Sequence, residues 1–218
     1  MPHQDFRQGR LSGRRPPTKK PKPRIEIFCE GSNTEPQYFR GLASVYGNSL
    51  VKLEIHDKQG VPNSVVDAAR LKFDALTKNA KKSNDSFDKE FQVWAVFDVD
   101  THPRVADAKQ NAKSKGVHLA CSNPCFEIWL LFHLEDCHKP YDGRDLQRYL
   151  TTKLPSYDPK GSKSISFSEL SDGVAIAIER AAHGLAERLK EGHPEGNPST
   201  TVGSLAQVII NHGRARTL

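Results

Sequence analysis

Short apolar segments alternate with amphipathic helical patterns along residues 24–136, and this alternation limits the fold more than any other feature. Strand-like segments begin at four places: RIEIFCEG at Arg24, LVKLEIHDK at Leu50, FQVWAVFDVD at Phe91 and GVHLACSN at Gly116. Helical patterns follow them at 34–47, 64–82, 105–115 and 124–136. Strands that alternate with helices pair in parallel through right-handed crossovers. The sequence therefore predicts an α/β protein with a doubly wound parallel sheet of about four strands and helices on both faces.

Beyond Asp136 the pattern becomes helical, first at RDLQRYLTTKL, then at 167–190 and at 200–213. We therefore predict one domain over residues 24–218, with an α/β core at 24–136 and a helical extension at 137–218. A chain of 218 residues has the length of one ordinary domain. Within the core, Thr34 is the predicted N-cap of the first helix, and Pro124 is predicted to open the fourth.

Residues 1–23 differ sharply in composition from the rest of the chain. They contain seven basic side chains and one acidic side chain, many Pro and Gly residues, and almost no aliphatic residues. Such a segment cannot bury a core, so we predict a disordered basic tail. It suits an arm that binds the phosphates of a polyanion, and equally a solubilising leader.

The expected location is the cytoplasm. The N-terminus has no apolar run of the kind that begins a secretory signal, and no apolar run approaches the roughly 20 residues that span a bilayer. We therefore expect the four cysteines to be reduced thiols, and no membrane partner.

Acidic residues follow two of the predicted strands. Glu30 ends the first strand, and Asp98 and Asp100 end the third. The carboxyl ends of parallel strands meet at one edge of a sheet, where ligands bind, and clustered carboxylates repel each other unless a cation lies between them. Carboxylate oxygens are ligands that Mg²⁺ prefers. The sequence therefore predicts a site for Mg²⁺ (or Mn²⁺) with Glu30, Asp98 and Asp100 as ligands.

Three strings carry a resemblance to a known family: IFCEGSNTEPQYF, VWAVFDVD and SNPCFEIWLLFH. In this order they resemble the RloB-like family of bacterial defence proteins, which is related to the overcoming-lysogenisation nucleases with Toprim domains. The resemblance implies a Toprim-type, Rossmann-like sheet, with Glu30 as acid/base or metal ligand and both aspartates as metal ligands. It also implies nucleic-acid cleavage and a companion ATPase of the AAA or ABC type. Thr101, His102 and Pro103 replace the Asp or Gly that often follows in Toprim motifs, which leaves the number of metals open.

Other residues have weaker claims to a role in the site. Glu127 lies near the start of an almost wholly apolar helix, where it suits either the helix dipole or a further catalytic carboxylate. His133, on the same helix, is more typical of a core histidine than of a ligand. Lys160 is more typical of a surface lysine than of a group that neutralises phosphate charge. The spacing of Cys121, Cys125, Cys137 and His138 argues against a zinc site.

The function that these observations favour is a metal-dependent nuclease acting on DNA or RNA, and the resemblance implies that it serves anti-phage defence by abortive infection. One alternative is a non-catalytic subunit that binds or senses nucleic acid within a defence complex. The other is a haloacid-dehalogenase-like phosphatase, because FDVDT resembles the Asp-x-Asp-x-Thr nucleophile signature, although that signature normally lies on the first strand. A homo-oligomer is also compatible with the sequence.

Overall fold

The computed structural model describes residues 24–47, 53–57, 60–85, 88–99, 102, 104–161 and 163–213. The strands are β1 (Arg24–Cys29), β2 (Leu53–His56), β3 (Phe91–Asp98), β4 (His118–Asn123) and β5 (Ser199–Thr200). They form one sheet in the order β2-β1-β3-β4-β5, in which the first four strands are parallel. The prediction of a mostly parallel, Rossmann-like sheet is confirmed. The predicted basic tail lies outside the described residues, as does the start of the predicted second strand.

The helices cover both faces of this sheet. They are α1 (Thr34–Tyr46), α2 (Pro62–Lys82), α3 (Val105–Ser114), α4 (Glu127–Leu134), α5 (Gly143–Thr151), α6 (Val174–Lys190) and α7 (Val202–His212). Two short 3-10 turns, Phe167–Glu169 and Ser171–Gly173, precede α6. No helix in the described part of the chain is long and apolar enough to cross a membrane.

Alternate residues of the buried strands divide the interior into two cores. Ile25, Ile27 and Cys29 of β1 face the larger core, which contains α1 and the helices from α4 to α7. Phe28 faces the smaller core, which contains α2 and α3. The period of two along each strand produces this division, and it places helices on both faces of the sheet.

A fifth, antiparallel strand joins the four predicted parallel strands at the edge of the sheet. β5 runs antiparallel to β4, with Ser122 opposite Thr200 and Asn123 opposite Ser199. The hydroxyl groups of Ser122 and Thr200 lie 2.9 Å apart and are hydrogen-bonded. A strand of two polar residues has no hydrophobic period that the sequence could reveal.

Several helix ends also differ from the predictions. Asn33, not Thr34, is the N-cap of α1, and the Thr34 hydroxyl donates a hydrogen bond to the backbone carbonyl of Lys163 at 3.0 Å. α4 begins at Glu127 instead of Pro124. The segment predicted as one helix over 167–190 contains the two 3-10 turns before α6 begins. The Thr34 side chain thus bonds to another segment instead of capping its own helix, and turns precede α4 and α6.

A charged network lies beneath α2, beside β1 and β2. The Glu26 side chain has no exposed surface, and it pairs with Arg24 at 2.6 Å, His56 at 2.7 Å and Lys72 at 3.2 Å. Glu54 binds the same Arg24 and Lys72 at 3.0 and 3.4 Å. Because each carboxylate has cationic partners, the network is satisfied without a metal ion.

Candidate functional site

The acidic cavity lies where the strand order reverses. β1 and β3 are neighbours, and the chain runs from β1 outward to β2 but from β3 outward to β4, so their crossovers go in opposite directions. A cavity of about 210 Å³ opens beyond the carboxyl ends of these strands. It is lined by Glu30, Gly31, Asn33, Thr34, Glu35, Asp98, Glu127, Gln147 and Lys163. This is the position at which parallel α/β sheets bind their ligands.

Glu30 joins the ends of the two central strands. Its backbone N–H donates to the carbonyl of Val96 at 3.0 Å, which extends the pairing of β1 with β3 by one residue. Its carboxylate then accepts from the backbone N–H of Asp98 at 3.1 Å, and from His102 Nε2 at 3.1 Å. Glu30 is thus held against β3 by its backbone and its side chain, with about a fifth of the side chain exposed.

Asp98 is the last residue of β3 and lines the same cavity. Burial and the charge of Glu127 are the main causes of the raised pKa values of Tyr157 and Cys125. The negative charge of Asp98 raises both pKa values further. Asp100, the third predicted ligand, lies outside the described residues. The structure therefore brings together two of the three predicted metal ligands, Glu30 and Asp98.

Glu127 faces the cavity from the opposite side. It is the first residue of α4, where the positive end of the helix dipole favours a carboxylate. The side chain is buried, and its Oε1 accepts a hydrogen bond from the Tyr157 hydroxyl at 2.5 Å. Burial and the neighbouring Glu127 charge raise the pKa of Tyr157, so its hydroxyl keeps the proton that it donates. Tyr157 thereby fixes the orientation of Glu127.

Glu35 is a buried carboxyl group of this cavity that the sequence analysis missed. It lies in the first turn of α1, and its Oε1 accepts from the backbone N–H of Gly31 at 3.1 Å. Burial raises the pKa of Glu35, and the charges of Glu127 and Glu30 raise it further, against the backbone N–H groups that lower it. A signal was available, since α1 begins at the sheet edge where Glu30 lies and carries Glu35 five residues after it.

The cationic group at the cavity is Lys163, not Lys160. Lys160 is exposed and does not line the cavity, whereas Lys163, three residues later, does. The Lys163 backbone has a φ of 48°, and its carbonyl accepts from the Thr34 hydroxyl. The segment of residues 152–161 and 163–166, here called the cover loop, is also fastened to α1 by the Ile165 N–H, which donates to Gln37 Oε1 at 2.9 Å. The cover loop therefore supplies both Tyr157 and Lys163.

His133 lies in the core, as its helix pattern suggested. It is buried, its Nδ1 donates to the carbonyl of Trp129 at 2.9 Å, and its Nε2 accepts from the Tyr38 hydroxyl at 3.2 Å. Burial is the main cause that lowers the pKa of His133 to about 4. It does not line the acidic cavity. Cys121, Cys125 and Cys137 are buried free thiols.

The donor set of the cavity suits a hard divalent cation. Glu30, Glu35, Asp98 and Glu127 offer carboxylate oxygens, and burial, with the charges of Glu127 and Glu30, raises the pKa of Glu35. In the described residues, no three of these side chains bring ligand atoms within 4.8 Å of one another. Mg²⁺ is commonly bound by one or two carboxylates and retained waters, so the open arrangement fits this ion.

These features define an α/β protein with a Rossmann-like sheet and an acidic cavity at the carboxyl edge of its central strands. The model of the RloB-like protein family matches residues 25–209. The chain therefore belongs to the RloB-like family. No curated protein and no solved structure shows a significant match to the chain.

Proposed function

We propose that this protein is a metal-dependent nuclease whose active site is the acidic cavity between β1, β3, α1 and α4. The observation that carries the proposal is the convergence of Glu30, Asp98 and Glu127 on one cavity beside Lys163. Carboxylates that surround a hard cation next to a lysine suit a phosphodiester, because the cations offset phosphate charge. The Toprim resemblance of the Glu-Gly and Asp-x-Asp strings supports the same reaction.

Glu30 and Asp98 are the proposed metal ligands, and Asp100 is the third by its place in the sequence. The Glu30 carboxylate is already fixed to the backbone N–H of Asp98, so it is held at the end of β3 before a metal binds. When bound there, Mg²⁺ or Mn²⁺ would polarise the scissile phosphate and activate water. Glu35 is a positioning residue in this proposal, because its carboxyl group holds the Gly31 N–H directly after Glu30.

The remaining groups are assigned by their contacts. Hydrolysis forms a bond from water to phosphorus, breaks the bond to the leaving sugar oxygen, and moves one proton from the water to that oxygen. Glu127 is the proposed base, since Tyr157 and the α4 N-terminus orient it as a carboxylate. Lys163 is the proposed cation for the charge that develops on the phosphate.

The proposed substrate class and partners rest on sequence features and on the family resemblance. The tail at 1–23 is the proposed arm that binds DNA or RNA through phosphates. The family resemblance suggests a companion AAA- or ABC-type ATPase and a role in anti-phage defence by abortive infection. The expected cytoplasmic location rests on the sequence and not on the family. The alternative of a non-catalytic sensor subunit uses the same tail and cavity, and differs only in the absence of cleavage.

The phosphatase alternative is weaker. The Asp-x-Asp-x-Thr signature has one residue between its second Asp and its Thr, whereas Thr101 follows Asp100 directly and His102 takes the next position. A mechanism with Asp98 as nucleophile also gives no role to Glu30, which contacts the Asp98 backbone. We therefore favour the nuclease.

The deciding experiment is a cleavage assay on the purified chain. Plasmid, single-stranded DNA, tRNA and total RNA are incubated with Mg²⁺, Mn²⁺ or EDTA, with and without the companion ATPase. We expect cleavage that requires the metal and is abolished in Glu30→Gln and Asp98→Asn. The matched control is Asp67→Asn, an exposed acid on α2, which should retain full activity. Equal cleavage by wild type and both site variants would falsify the proposal, and binding without any cleavage would favour the sensor subunit.

A further inference from the structure

A second group of metal-ligand side chains lies on the surface, away from the acidic cavity. Asp136, His138 and His183 each offer one ligand atom, and these atoms all lie within 4.8 Å of one another. Asp136 and His138 lie in the segment after α4, and His183 lies on α6. Glu127 begins α4 at the acidic cavity, so the eight residues of this helix, roughly 12 Å in length, separate the two groups along the chain.

Glu187 completes the arrangement from the same face of α6. It lies one helical turn after His183, and its Oε1 is 3.8 Å from His183 Nε2. Its Oε2 accepts from His138 Nδ1 at 3.0 Å. A carboxylate that accepts from one nitrogen of an imidazole fixes the tautomer and turns the other nitrogen toward a metal.

The other nitrogen of His138 faces a carboxylate. His138 Nε2 lies 3.2 Å from Asp136 Oδ2, and with Nδ1 donating to Glu187, a neutral ring would direct the Nε2 lone pair at this oxygen. Two electron-pair donors at this distance require a proton or a cation between them. His183 approaches the same place with its ring perpendicular to that of His138, at a centroid distance of 6.0 Å.

We propose that Asp136, His138 and His183 form a surface site for a divalent transition-metal ion of the Zn²⁺ class, with Glu187 as the group that orients His138. Two imidazoles with one carboxylate are a set of three protein ligands that zinc uses, with a further position left to water. Imidazole ligands favour Zn²⁺, Ni²⁺ or Cu²⁺ over Mg²⁺, so this site is chemically distinct from the acidic cavity.

The surroundings of the cluster are compatible with cation binding. The side chains of Asp136, His138 and His183 are 45, 55 and 59% exposed, so an ion can reach them without opening the fold. One nearby cation, Arg188, pairs through Nη2 with Glu191 at 2.7 Å and lies farther, at 3.9 Å, from Glu187. A bound metal would join the α4–α5 connection to α6, so its binding should also stabilise the fold.

The test is a Zn²⁺ titration of the chain in excess Mg²⁺, which occupies the acidic cavity, by competition with a chromogenic chelator. We expect one Zn²⁺ per chain at the surface cluster, bound more tightly than about 100 µM. His138→Ala and His183→Ala should each weaken this binding at least about tenfold, since each removes a ligand. Co²⁺ provides a second readout, because the visible spectrum of a His-ligated ion should disappear in the same variants. Both positions are exposed, and unchanged melting temperatures in EDTA will show that the variants fold.

Two controls locate the ion. His212→Ala removes a histidine outside the cluster and should leave Zn²⁺ affinity unchanged. Glu30→Gln tests whether the ion instead occupies the acidic cavity beside His102, and it too should leave the affinity unchanged. The proposal is overturned if wild type does not bind Zn²⁺ in this range, if both cluster variants bind like wild type, or if Glu30→Gln abolishes binding. None of these outcomes depends on nuclease activity, so the proposed function is tested separately.

Discussion

The hydrogen bond between Tyr157 and Glu127 joins the cover loop to the acidic cavity. Both side chains are buried, and the bond is made to a carboxylate that α4 presents at its first residue. Loss of a hydrogen bond to a charged group costs about 1.5–3 kcal/mol when the group stays buried. The proposed base therefore depends on a residue from a loop outside the α/β core.

Replacement of Tyr157 by Phe should reduce stability and activity together. We expect the free energy of unfolding in EDTA to fall by about 1.5–3 kcal/mol, measured by urea titration. Cleavage should fall about tenfold to a hundredfold, because Glu127 loses its fixed orientation. The control is Tyr149→Phe, which removes a similar bond to Glu135 at 2.6 Å nearer the surface. If the two variants are equally stable and equally active, Tyr157 has no positioning role.

The site residues differ in how far the sequence could predict them. Glu30 and Asp98 follow apolar strands, and the parallel topology requires those strand ends to meet. Glu35 could equally have been predicted from the sequence, because it lies in the first turn of α1. Tyr157 and Lys163 were not, because the cover loop has no period, and its path over the cavity depends on bonds to α1 and α4.

Among the secondary-structure elements, the parallel strands were predictable from the sequence, whereas β5 and the 3-10 turns before α6 were not. β1, β3 and β4 are apolar segments separated by helical patterns, and the alternation alone predicts their parallel pairing. β5 has two polar residues, and its pairing with β4 arises because the chain returns there after α6. The 3-10 turns before α6 also depend on a neighbour, since Phe167 packs against α1 at Gly41.

The contact between α1 and the first 3-10 turn gives a prediction at this scale. A Cβ at Gly41 would lie 2.3 Å from the Cβ of Phe167, so Gly41→Ala must push the two elements apart. Overpacking of this kind costs about 1–3 kcal/mol, which should exceed the gain of up to about 1 kcal/mol in helix propensity.

The matched control is Gly184→Ala, at a glycine within α6 where a Cβ would have its nearest neighbour at 3.9 Å. There the helix propensity should dominate, and stability should rise by up to about 1 kcal/mol. Thermal or urea unfolding measures both variants. Stabilisation of the chain by Gly41→Ala would show that α1 does not pack against Phe167 as described.

At the scale of the whole molecule, His133 should make the larger core sensitive to acid. The pKa of His133 is lowered from 6.5 to about 4, chiefly by burial, so the folded chain binds its proton less readily than the unfolded chain. Stability from this residue is therefore complete above pH 6.5 and is lost as the pH falls toward 4, by about 3 kcal/mol.

The measurement compares the pH dependence of unfolding in wild type and His133→Gln. The raised pKa of Glu35 has the opposite effect, because its contribution to the free energy of unfolding grows as the pH falls. This contribution is present in both proteins. Any packing defect of His133→Gln appears at pH 8, where histidine is neutral. We expect the stability difference between the two proteins to shrink from pH 6.5 to pH 4. A difference that is constant over this range contradicts the buried neutral His133.

Thermal unfolding with Mg²⁺ shows whether Glu30 and Asp98 hold a metal ion in the acidic cavity. At ten times its Kd, the ion should stabilise wild type by about 1.4 kcal/mol, which raises Tm by about 3–6 °C. The rise should persist in Asp67→Asn and disappear in Asp98→Asn, whose Tm without metal should equal or exceed that of wild type because one repelling carboxylate is gone. Mg²⁺ binds weakly to histidine clusters, so the surface site does not contribute. An equal Mg²⁺-dependent rise in Asp98→Asn would contradict the account.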